Sequence, residues 1–138
     1  MSLMDLPASE LLSQLRSGNC SSRDACTEAL QRIERDDPAL HAFLAVDPER
    51  ALVQADAVDA KRGRGEAIGP LAGIPIAIKD VLCETGQRTT CGSRMLERFV
   101  SPYDAHVISR LKQADAVLLG RTNMDEFAMG SSSENSAY

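Results

Sequence analysis

Two short aliphatic runs punctuated by glycine and proline constrain this chain most: Gly73-Ile74-Pro75-Ile76-Ala77-Ile78 and Ala116-Val117-Leu118-Leu119-Gly120. Each is too short for a typical helix and too apolar for a surface, so each reads as a buried strand. Pro75 has no N–H to give to a ladder, which places it at an edge, a strand start or a bulge. Between the runs, residues 104–114 carry a helical pattern with Val107, Ile108 and Leu111 inward and Asp104 as N-cap. Helix alternating with buried strand predicts an α/β fold.

The first half reads as helices. Leu6, Leu11, Leu12 and Leu15 recur at helical spacing, and Gly18 stops that segment. Ser21 with Asp24 forms a capping box ahead of a second helix, whose apolar face is Ala25, Ala29, Leu30 and Ile33. That helix is expected to end before Asp36-Asp37-Pro38, because the residue preceding a proline avoids helical angles. Residues 42–46 read as a strand. Asp47-Pro48 then caps a third helix over 48–62, with Ala51, Leu52, Ala55 and Val58 inward. Two parts follow: a helical segment over 1–64, and the start of an α/β core over 65–138. Met1-Ser2-Leu3 ahead of Met4 reads as an added leader. The tail Gly130–Tyr138 is polar and closes with no helix or strand, so the sheet is expected to be truncated, with open edges.

Charge and composition exclude several classes. A net charge of −5 argues against field-driven nucleic-acid binding. The one dense basic stretch, Lys61-Arg62-Gly63-Arg64, reads as a solvated linker. No run approaches the roughly 20 apolar residues of a membrane span, and no secretory signal pattern begins the chain. The chain therefore reads as cytoplasmic, and its four cysteines as reduced, mostly buried thiols. None of them forms a C-x-x-C pair and both histidines lie far from them, so no metal site is expected.

The candidate for chemistry is Lys79, at the end of the first apolar run. A lysine there can be desolvated, which lowers its pKa and frees the amine as a base. Asp80 need not neutralise it, since successive strand residues point to opposite faces. The plainer alternative is a solvated Lys–Asp pair at a strand end, and the residues alone leave both open. The serines at 131–133 lie in no G-x-S-x-G elbow and near no histidine, and no P-loop occurs.

Three segments change those odds. They are Gly69–Asp80 (GPLAGIPIAIKD), Thr89–Ser93 (TTCGS) and Gly120–Ser132 (GRTNMDEFAMGSS), and in order and spacing they resemble the amidase-signature family. The third, continued through Glu134–Ala137, is most similar to the tRNA-dependent amidotransferases within it. The resemblance implies a Ser-Ser-Lys amidase in which Lys79 accepts a proton through a bridging serine and so activates a serine nucleophile. It further implies that both serines and a glycine-rich oxyanion hole lie beyond residue 138, so these 138 residues alone are expected to be inactive. Met129, Gly130 and Ser131 match a stretch that borders the family's substrate pocket.

The implied reaction releases ammonia from glutamine and uses it to convert Glu-tRNA(Gln) to Gln-tRNA(Gln), or the aspartyl equivalent. The implied partners are the B and C subunits of a heterotrimer, with tRNA held mainly by one of those partners. No cofactor is expected in this chain; ATP and Mg would serve the whole complex. Two positions depart from the family: Asp115 stands where glycine is common, and Arg121 where lysine is. Two rival readings remain, an amidase acting on a small amide and a non-catalytic docking module.

Overall fold

The computed structural model describes residues 2–138; Met1, part of the expected leader, lies outside the described residues. Ser2 caps a 3-10 turn over Leu3–Asp5, and its hydroxyl bonds the Glu28 carboxylate. Helix α1 spans Ala8–Arg16, α2 Ser22–Leu40 and α3 Pro48–Gly63, with strand β1 (Phe43–Val46) between α2 and α3. Strand β2 covers Pro75–Lys79, α4 His106–Gln113 and β3 Val117–Thr122.

The three strands form one sheet in the order β1-β3-β2, β3 running antiparallel to β1 and parallel to β2. Pro75 opens β2, which is an edge strand among the described residues, as its missing donor requires. The β2–β3 ladder is interrupted: Ile76 faces Leu118 but Ala77 faces Gly120, so Leu119 is an extra residue on β3. Helices cover both sides of the sheet. On one, Cys26, Ala29, Ala51 and Ala55 pack on Val117 and Leu119. On the other, Ile108 packs on Ile78 and Leu118. A third cluster joins Leu11, Leu15 and Ala25 to Ile74 at the start of β2. Burying small alanines at the α2–α3–β3 contact lets the helices lie close to the sheet, which suits a chain poor in aromatics.

The Ser21–Asp24 capping box forms as the spacing predicts, and so does the Asp47 cap of α3. Four expectations are corrected. Helix α2 does not stop before Pro38 but runs through it to Leu40, ending at His41 with φ 51°. The helix closes through the His41 N–H on the Asp37 carbonyl (2.8 Å), and the Asp37 carboxylate accepts the N–H groups of Ala42 (2.7 Å) and Phe43 (3.2 Å), which fixes the turn that follows. Helix α4 has no side-chain cap. Asp104 instead accepts from the Thr85 N–H (2.8 Å) and pairs with Lys112 (2.9 Å), and Val107 faces solvent.

The basic stretch is no solvated linker. Lys61 pairs with Asp115 at 2.8 Å, while Arg62 binds Asp59 and donates to the Ala72 carbonyl. Of the four thiols only Cys26 is buried; the other three are half-buried, and all are free. Asp115 does adopt the left-handed φ (58°) that its family position demands. It is retained there by its ion pair to Lys61 and a 2.6 Å hydrogen bond from the Gly69 N–H.

Candidate active site

Strand alternation sets the site. At the end of β2, Ile78 and Asp80 turn to the α4 side and are buried, while Ala77 and Lys79 are exposed. The desolvation considered for Lys79 is therefore not supplied by the described residues.

Asp80 is held from every direction. Its N–H donates to the Thr122 carbonyl (3.2 Å) and its carbonyl accepts from the Cys91 N–H (3.1 Å). Its carboxylate accepts from the Thr90 N–H (3.0 Å), the Thr90 hydroxyl and Arg121 Nε (3.2 Å). Arg121, 4% exposed, also donates to the Leu82 carbonyl (2.6 Å) and to Thr89 Oγ1 (3.1 Å). Buried Glu84 pairs with Arg50 and lies 3.6 Å from Lys112 and 3.9 Å from Arg121. A charged group this deep is tolerated only with partners, and here two carboxylates answer three cations. From the motif alone, Arg121 stands apart from the chemistry, in a turn at a strand exit. The structure places it within β3, bound to the residue next to Lys79.

The same network joins the three motif segments. Cys91 (φ 54°) and Gly92 (φ 67°) turn the Thr89–Ser93 segment so that their carbonyls accept the N–H groups of Phe127 (2.8 Å) and Ala137 (2.9 Å). A Cβ at Gly92 would lie 2.6 Å from the Met124 carbonyl oxygen, so only glycine fits this crossing. Segments far apart in sequence thus meet around the end of β2.

Met129, Gly130 and Ser131 lie exposed on the loop that follows. That loop is wrapped about buried Asp125, whose carboxylate accepts the N–H groups of Asn135 (3.0 Å), Ser133 (3.0 Å) and Ser132 (3.2 Å). Those backbone donors, with a contribution from the charge of Lys79, hold the Asp125 carboxyl below the usual carboxylate range. The loop is also tied to the end of β2, because Phe127 N–H donates to the Cys91 carbonyl and Cys91 N–H to the Asp80 carbonyl. Sequence reasoning passed over Asp125. The available signal was an Asp a few residues ahead of a Gly/Ser-rich stretch, where a carboxylate can collect turn N–H groups.

A cavity of about 510 Å³ opens on the other side, lined by Arg50, Asp80, Glu84, Arg88, Arg121 and Tyr138; Lys79 does not line it. Among the described residues no group of three or more His, Cys, Asp or Glu side chains comes together to hold a metal. No helix among them is long and apolar enough to cross a membrane.

The family model described as Amidase matches residues 24–138. The chain is 54% identical over 134 residues to the A subunit of the glutamyl-tRNA(Gln) amidotransferase of Chromohalobacter salexigens, covering 97% of this chain and 27% of that protein. It is likewise 54% identical over 136 residues to the protein of the same name from Streptomyces coelicolor, covering 99% and 27%. This chain thus spans about a quarter of the length of these curated relatives. One solved structure, reported as a vestigial protein complex bearing on the origins of an s-triazine catabolic enzyme, superimposes with a TM-score of 0.89 at 43% identity, covering 94% of this chain and 29% of that one. A bacterial aryl acylamidase of the amidase-signature family superimposes with a TM-score of 0.83 at 27% identity, covering 88% and 26%. The motif segments that meet at the end of β2, the family match over residues 24–138 and these likenesses agree: this chain belongs to the amidase-signature family.

Proposed function

We propose that this chain is part of the A subunit of a glutamyl-tRNA(Gln)/aspartyl-tRNA(Asn) amidotransferase, with Lys79 as the base of a Ser-Ser-Lys amidase. The observation that carries the proposal is where Lys79 stands. It stands exposed at the end of β2, while its neighbour Asp80 turns to the other side of the strand and is bound to Arg121. Asp80 is committed to Arg121 and to Thr90 and forms no ion pair with Lys79.

In this reading Lys79 withdraws the proton of a bridging serine, which in turn takes that of the nucleophile. The resulting alkoxide attacks the glutamine side-chain amide; the proton held by Lys79 returns through the bridging serine to the amide nitrogen, the C–N bond breaks and ammonia leaves the acyl-enzyme, which water then hydrolyses. Residues 65–138 carry most of this first part of the amidase core; β1 of the 1–64 segment joins their sheet and its helices pack on it. Met129, Gly130 and Ser131 border the bound amide. The B and C subunits hold tRNA and consume the ammonia with ATP and Mg, in the cytoplasm. The acidic balance of the chain supports leaving tRNA to a partner.

The test is Lys79→Ala in the full-length chain assembled with its partner subunits. Ammonia release from glutamine should fall by at least about a thousandfold, with the circular dichroism spectrum unchanged. Retained glutaminase activity would remove Lys79 from the chemistry. Hydrolysis of simple amides or anilides with no glutaminase activity in the unsubstituted protein would instead favour an amidase acting on small amides.

A further inference from the structure

The loop following β3 is built around one side chain. Three backbone N–H groups drawn from only four residues, 132–135, converge on the two carboxylate oxygens of Asp125. Glu126 N–H closes the loop on the Asn135 carbonyl at 2.8 Å. Gly130 passes so near that a Cβ there would lie 2.4 Å from Asp125 Cγ. Phe127 (φ 53°) and Ala128 (φ 60°) are consecutive non-glycine residues in the left-handed region. Such backbone persists only where its surroundings over-determine it. Surface loops need no such construction. This one carries Met129–Ser131 and is tied to the residue next to Lys79, Phe127 N–H donating to the Cys91 carbonyl (2.8 Å) and Cys91 N–H to the Asp80 carbonyl (3.1 Å).

We propose that Asp125 is a positioning residue that fixes the Met129–Ser131 face of the loop relative to Lys79 and thereby sets affinity for the amide substrate. The inference rests on the reading of Lys79 as base and of Met129–Ser131 as pocket border. Asp125 touches neither substrate nor reacting atoms. It acts through the loop backbone, so its loss should weaken substrate binding and spare the chemical step.

Asp125→Asn keeps the size of the side chain but turns an N–H donor toward backbone N–H groups that need an acceptor. In the full-length assembled enzyme the KM for glutamine should rise at least about tenfold, with kcat within about threefold of the unsubstituted enzyme. Asp125→Glu keeps the charge but moves the carboxylate out of register with the three N–H groups, and should give the same split in smaller measure. If Asp125→Asn fails to fold, Asp125→Glu carries the test. A KM within about twofold in both variants, or a collapse of kcat at unchanged KM, overturns the inference. The Lys79→Ala control separates the two levels. If Lys79→Ala remains active, the base assignment falls and this inference with it. If Lys79→Ala is dead while Asp125→Asn and Asp125→Glu keep their KM, only the anchoring role falls.

Discussion

Replacing Arg121 with methionine should be among the most damaging single changes outside the reacting groups. Methionine fills much of the same volume, so the loss is electrostatic rather than a large cavity. What disappears is the 3.2 Å contact to Asp80 and the hydrogen bonds to Leu82 and Thr89. Asp80 is 2% exposed and would keep only its two donors from Thr90. Breaking a buried pair from one side leaves an uncompensated charge, at a cost of about 3–5 kcal/mol. The effect should be local first, because Asp80 and Arg121 lie on neighbouring stretches of β2 and β3. Hydrogen exchange followed by mass spectrometry is the suitable assay, comparing peptides that span β2 and β3 with peptides from α1. Protection in β2 and β3 should drop by about a hundredfold or more, in line with the energy above. The double variant Asp80→Asn/Arg121→Met should be less damaged than the sum of the single variants. A change in protection below about fivefold would mean that the pair carries little net energy here, and the account of how Asp80 is kept from Lys79 would fail with it.

Two further outcomes follow from the packing. Burial among Ala29, Ala51 and Ala55 pushes the Cys26 thiol up to about 11. At pH 8 about one molecule in a thousand then carries the thiolate, so Cys26 should resist iodoacetamide in the folded protein and react readily in denaturant. Fast labelling of Cys26 in the native state would contradict the α2–α3 packing. Asp115→Gly would relieve a left-handed φ but remove the bonds to Lys61 and Gly69, for a net loss of about 1–2 kcal/mol in denaturant titrations. Burial raises the Asp115 carboxyl, but Lys61 and the Gly69 N–H outweigh it and leave it lowered. A lowered carboxylate stabilises above its unfolded pKa of about 4 and loses that contribution as pH falls through the folded value. The penalty of Asp115→Gly should therefore shrink below about pH 4; a penalty independent of pH would assign it to packing.

Much of the fold was legible because it rests on local rules. The capping box at Ser21, the Asp47-Pro48 start of α3 and the edge role of Pro75 each depend on neighbouring residues and formed as their patterns require. The misreadings share a different origin: contacts beyond the local pattern overrode the local preference. Helix α2 ran past Pro38 into a left-handed turn at His41 that the Asp37 carbonyl and carboxylate hold. Asp104 left its cap position for Thr85 and Lys112. Arg62 looked solvated until the Asp59 carboxylate and the Ala72 carbonyl were brought to it. The same holds at the site. Lys79 could be found from its motif, whereas Arg121 and Asp125 gain their meaning only when residues 80–92 and 122–137 are folded against each other.

The extra residue at Leu119 decides how the site's two cations are distributed. In an unbroken parallel ladder carrying the same residues, Ala77 would face Leu119 and Lys79 would face Arg121, both side chains emerging on one side of the sheet. Like charges opposed in that way repel, and the arrangement would also leave Asp80 without its counter-ion. The inserted position shifts the strand's phase by one, so Lys79 faces Thr122 instead and Arg121 turns inward beside Ile78. One irregularity in the backbone thus sorts two like charges to opposite sides, Arg121 buried against Asp80 and Lys79 exposed.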